Sequence, residues 1–167
     1  METLNAISPI DGRYRKSTEK SSDYFSEASL IKYRVKEEVE YFIALCELPL
    51  EQLKDIPQSS FEKMRDIYRN FSLEDAKEVK EIEKTTNHDV KAVEYFLKKH
   101  FEALGLGEHK EYIHFGLTSQ DINNTSVPLS LRDCHNETLL PMLNEVLEIL
   151  SQKAQEWNNV PMLAHTH

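Results

Sequence analysis

Leu140-Pro141-Met142-Leu143-Asn144-Glu145-Val146-Leu147-Glu148-Ile149-Leu150-Ser151-Gln152-Lys153-Ala154-Gln155-Glu156-Trp157 is the stretch that decides the fold. Leu140, Leu143, Leu147, Leu150, Ala154 and Trp157 step by threes and fours, the heptad seam of a helix lying along other helices. A helix over 139–157 would run about 28 Å at 1.5 Å per residue. Isolated helices are marginal in water, and each buried Leu contributes roughly 1.5–3 kcal/mol, so the seam needs a partner. Only residues 22–48 and 119–135 offer comparable length, and Pro128 can kink the latter. The seam packs either on those stretches or on something outside these 167 residues, and the second is expected.

Upstream, the same periodicity continues with a broader face. Tyr24, Ala28, Ile31, Val35, Val39, Phe42 and Cys46 form one helical stripe, closed by Leu48-Pro49. Ser59 with Glu62 has the spacing of a capping box ahead of Phe61, Met64, Ile67 and Phe71. Ser72 with Asp75 starts a third helix carrying Ala76, Val79 and Ile82. Thr85-Thr86-Asn87 caps a fourth, with Val90, Val93, Phe96 or Leu97, and Phe101 inward. Gly105-Leu106-Gly107 ends it, and a domain boundary is expected near there.

The 167 residues carry a net charge of −9, two cysteines, four glycines and six prolines. So few turn residues argue against an all-β sandwich, and the apolar runs are too short to span a bilayer. Cys46 and Cys134, with no secretory segment after Met1, point to a cytoplasmic protein with free thiols. The acidic balance argues against general nucleic-acid affinity. Residues 111–167 hold only Arg132 and Lys153 as cations, so an anionic ligand would find its basic partners in the front of the chain.

Four segments could carry chemistry. In Ser8-Pro9-Ile10-Asp11-Gly12-Arg13-Tyr14 a turn presents an Arg, whose fork suits a phosphate or carboxylate; the plainer reading is a solvated turn. Thr85-Thr86-Asn87-His88-Asp89 sits at a helix N-terminus, where free N–H groups favour an anion, or else simply caps that helix. His114-Phe115-Gly116-Leu117-Thr118-Ser119-Gln120-Asp121-Ile122-Asn123-Asn124 gathers hydroxyls and amides into a possible carboxylate cradle of neutral donors, or into a cap and polar helix face. His165-Thr166-His167 is either a tail or brings a proton-transfer histidine; two histidines alone are weak evidence for a metal. The chain stops just after a turn begun at Val160-Pro161, which predicts a continuation. Walker, GxGxxG, CxxC and GxSxG patterns are missing from the sequence.

Taken in order, the first three segments, with Val90 to Leu97 after the second and Thr166-His167 at the close, resemble the adenylosuccinate lyase family of the fumarase/aspartase superfamily. The likeness runs over essentially the whole chain and is expected to be greatest to the bacterial form with the Ser-Pro-x-Asp-Gly-Arg-Tyr start. The resemblance implies an all-α fold, with residues 1–110 as an N-terminal helical domain and 111–167 opening a long-helix bundle. It implies elimination of fumarate from adenylosuccinate and from succinyl-aminoimidazole-carboxamide ribotide (SAICAR), with no metal or organic cofactor. Arg13 and Tyr14 match the pair on the nucleotide end of the substrate, and Asn87, His88 and Asp89 match a second binding segment. Thr118 and Ser119 match the hydroxyls on the succinyl carboxylates, and His167 matches the proton donor. His165 stands where related sequences often carry Arg.

The same resemblance implies a homotetramer whose sites combine three subunits, which would account for a seam without a partner. The family's serine loop and C-terminal domain would lie beyond this sequence, so the chain alone is expected to be inactive. Two other functions compete: a superfamily lyase acting on argininosuccinate or malate, and a non-catalytic helical module.

Overall fold

The computed structural model describes residues 3–165, and among them the architecture is all-α. Seven α-helices follow in order: α1 Ser22–Phe25, α2 Glu27–Glu47, α3 Phe61–Arg69, α4 Leu73–Thr86, α5 Asp89–Ala103, α6 Ser119–Cys134 and α7 Leu140–Trp157. Short 3-10 turns join several of them, and one π turn, His135–Leu139, precedes α7. The chain divides into two compact units, Met1–Leu131 and Arg132–His167. His167 and Thr166 lie outside the described residues.

The first unit is built around α2. Ile31, Val35, Val39 and Phe42 are buried as the stripe predicts, and Ala28, Tyr24 and Cys46 are partly buried. The stripe is not one helix, however. Ser26 adopts extended backbone, accepts a hydrogen bond from the Ser29 N–H at 3.2 Å, and starts α2 afresh after the short α1. Leu48 is extended because the following Pro49 disfavours helical backbone there.

Against α2 pack α3, α4 and α5, whose apolar faces supply Phe61, Met64, Ala76, Val79, Val93, Phe96, Leu97 and Phe101. Both Phe96 and Leu97 point inward, so the alternative between them is resolved in favour of both.

The caps show which local signals prevailed. Ser72 and Asp75 start α4 as expected and do so through a capping box, with the Ser72 N–H donating to Asp75 at 2.7 Å. The Ser59–Glu62 box does not form. A 3-10 turn over Gln58–Ser60 precedes α3, and Glu62 is instead held by Arg65 and Arg69 at 2.9 and 2.7 Å. Gly105, at φ +77°, ends α5 in a Schellman turn: the Leu106 N–H reaches the Phe101 carbonyl at 2.8 Å. The chain then folds back, and Leu106 and Ile113 join the same core. Both residues belong to the first compact unit, Met1–Leu131.

In the second unit α7 buries none of its residues. Leu140, Leu143, Leu147, Leu150 and Trp157 are all exposed.

Candidate functional site

Two of the sequence segments meet in the first unit. Asn87 takes the left-handed conformation (φ +51°) that turns α4 into α5, and His88 becomes the N-cap of α5. The His88 Nδ1 accepts the Lys91 N–H at 3.1 Å, so in neutral imidazole the proton sits on Nε2. That nitrogen lies 3.3 Å from Oγ of Ser119, the first residue of α6. His88 therefore donates to Ser119, and the serine O–H stays available for another acceptor. The starts of α5 and α6 stand side by side, each with first-turn N–H groups and the positive end of a helix dipole.

The turn delivering α6 is sharp. His114 (φ +63°) and Gly116 (φ +74°) are both left-handed, and a Cβ on Gly116 would be strained whatever the space. Thr118 follows, its N–H and Oγ1 each bonded to Asp121 Oδ2 at 2.7 Å. Those two bonds hold the Asp121 carboxyl below the usual range.

Behind the pair lies a polar row, buried at Arg34 and Glu38 and partly buried at Tyr41, that periodicity did not reveal. Arg34, Glu38 and Tyr41 stand one turn apart on α2. Arg34, only 6% exposed, reaches Asp89 Oδ2 with NH1 at 2.8 Å and Asn123 Oδ1 with Nε at 3.0 Å. Burial alone would raise the Asp89 carboxyl, but the Val90 N–H and the Arg34 guanidinium bring it below its ordinary value. Glu38, 1% exposed, places Oε1 2.5 Å from His114 Nδ1, while its Oε2 has no hydrogen-bond partner. The Tyr41 O–H donates to the Phe115 carbonyl at 2.9 Å. One signal could have found these residues: Arg34 and Glu38 fall three positions after Ile31 and Val35, on the face that buries the core.

Burial pushes the Glu38 carboxyl above its ordinary value against the pull of the His114 bond. A carboxyl raised in the folded state adds stability below its unfolded pKa, about 4.3, and loses it as pH rises through the folded pKa. Glu38→Gln removes that loss. The melting temperature of the variant minus that of the wild type is expected to grow more positive from pH 4 to pH 7, by roughly 2–4 °C per kcal/mol of linkage. A difference that stays constant over that range would contradict a raised Glu38.

Of the other expected site residues, Arg13 and Tyr14 touch each other, the guanidinium 5.2 Å from the ring centre. Both are exposed, and among the described residues neither side chain hydrogen-bonds to His88 or Ser119. His167 lies outside the described residues.

The sequence profile of a family described as lyase matches residues 12–167. The chain belongs to this lyase family. Its fold is the all-α fold of the fumarase/aspartase type. Adenylosuccinate lyase of Dictyostelium discoideum is 52% identical over 172 residues, covering 100% of this chain and 37% of the relative. The adenylosuccinate lyases of Vibrio cholerae and Escherichia coli are 40% and 39% identical over 171 residues, with the same coverage. Among these three the amoebal relative shares the most residues with the chain. The lyase-family chain thus spans little more than a third of the length of the curated relatives it matches.

Proposed function

We propose that the full-length protein is an adenylosuccinate lyase, a cytoplasmic homotetramer that eliminates fumarate from adenylosuccinate to give AMP, and from SAICAR to give the corresponding carboxamide ribotide. The observation that carries this reading is the pairing of His88 with Ser119. It joins two segments that the resemblance assigns to substrate, across 31 residues of chain. In this reading a base of the full-length protein takes a proton from carbon, the electron pair of that C–H bond forms the fumarate double bond, the C–N bond breaks with its pair going to nitrogen, and the departing nitrogen is protonated. Negative charge develops towards a carboxylate, where Ser119 and the first-turn N–H groups of α6 can donate without reorganising, and Thr118 joins them on turning its O–H away from Asp121. His88, Asn87 and Asp89 form the adjoining wall, Arg13 and Tyr14 grip the nucleotide end, and His167 supplies the proton to nitrogen.

A domain limit at 110/111, with 111–167 opening a bundle, belongs to this proposal. So does burial of the α7 seam by other subunits, which its exposed leucines support. The test is a substrate panel on the full-length protein. Fumarate release is expected from adenylosuccinate and SAICAR, and none from argininosuccinate or malate. The purified 167-residue chain is expected to release none from any of them. Turnover of argininosuccinate or malate alone would replace the purine assignment, and turnover by the short chain would overturn its expected inactivity.

A further inference from the structure

We propose that Arg34 is a positioning residue: buried on α2 beneath the site, its guanidinium sets the distance between His88 and Ser119 by tying Asp89 to Asn123, and so controls substrate binding without touching substrate. The claim that substrate binds there rests on the function proposed above; the tie itself does not.

The contacts close a ring. Arg34 bonds Asp89 at 2.8 Å, Asp89 is the chain neighbour of His88, His88 lies 3.3 Å from Ser119, and Ser119 stands one helical turn before Asn123, which returns to Arg34 at 3.0 Å. Residues four apart share a helix face, so Ser119 and Asn123 move together. Two links therefore join α5 to α6 here. The outer one, His88–Ser119, is the longer and half-exposed, whereas the inner one is shorter and centred on a buried guanidinium, although Asp89 at its end is itself half-exposed. A planar guanidinium sends its bonds out at fixed angles, which a lysine ammonium does not, so the inner link sets orientation as well as distance.

Packing gives no reason for a cation at this position. A buried charge is costly to desolvate, and an apolar residue of similar volume often serves stability as well or better. Arg34 sits between Ile31 and Val35, both in the core, so α2 offers a rigid base for the fork. Displacement of binding groups by about 1 Å can cost on the order of 100-fold in rate.

The experiment compares wild type, Arg34→Met, Arg34→Lys, Asn123→Ala and the Arg34→Met/Asn123→Ala double variant in the full-length protein. Steady-state kinetics with adenylosuccinate are measured alongside melting temperature and the rate at which diethyl pyrocarbonate modifies each histidine. Arg34→Met is expected to raise KM by about 30- to 100-fold with a smaller change in kcat. Arg34→Lys should recover part of this by keeping the Asp89 ion pair. The double variant should be no worse than Arg34→Met, because both break one link. His88 should be modified several-fold faster in Arg34→Met, while His100 keeps its rate.

A lowered melting temperature with unchanged KM and unchanged His88 reactivity would reduce Arg34 to a structural role and overturn the proposal. An additive double variant would do the same. If wild type ignores adenylosuccinate, the substrate assignment fails, and the histidine modification rates still decide whether Arg34 sets the His88–Ser119 link.

Discussion

In the full-length protein, His167→Ala is expected to lower kcat by about 100- to 10,000-fold, the range that a positioned general acid contributes. The C–N bond cannot break cleanly while the nitrogen leaves as an anion, so the proton must arrive as the bond breaks. Histidine, with an ordinary pKa of about 6.5, is protonated often enough near neutral pH to deliver it and weak enough to let it go. Alanine removes the donor but leaves the substrate contacts proposed for Arg13, His88 and Ser119, so KM should change far less than kcat. The acidic limb of the pH–rate profile should survive while the limb that reports a protonated donor disappears. Added imidazole should restore part of the rate if the loss is chemical. A kcat within tenfold of wild type would remove His167 from the proton-donor role.

Phe42→Ala is expected to cost about 3–5 kcal/mol of folding stability, the range for truncating a buried aromatic side chain. Phe42 is 0% exposed in the C-terminal third of α2, and its ring meets that of Phe101 edge-on at 4.8 Å and 88°. That geometry aligns a positive ring edge with a negative face, worth about 0.5–1.5 kcal/mol beyond area. The cavity would open between α2 and α5, the two helices that carry Arg34 and His88, so little rearrangement is available to fill it. Proteins are stable by only about 5–15 kcal/mol, so the variant should melt far earlier and accumulate poorly. Leu73→Ala, at a position 63% exposed, is the control and should stay within about 0.5 kcal/mol. Urea or thermal unfolding of both reads the result, and equal losses would refute the central place of Phe42 in the core.

Much of the first unit's helical architecture was legible because its signals are local. Core periodicity along 31–42 and 90–101, the Ser72–Asp75 box and the Gly105 terminator each depend on residues within a turn or two of one another. Where two local signals competed, sequence reasoning lost. Ser59 and Glu62 have box spacing, yet Glu62 found two arginines on its own helix, and the chain entered α3 through a 3-10 turn. His88 replaced the expected Thr85-Thr86-Asn87 cap because Asn87 was taken by the left-handed turn.

The sequence by itself determined that the fold is all-α and that α7 presents an apolar seam, and it offered the short segments proposed here for substrate. Only the tertiary structure decided that His88 meets Ser119, that Arg34 and Glu38 lie buried beneath them, and that Arg13 and Tyr14 make no hydrogen bond to that pair. The reason is range. Helices and caps are chosen by neighbours a few residues away, whereas Arg34 and Asn123 stand 89 positions apart and are brought together only when the packing of α2, α5 and the turn before α6 is complete.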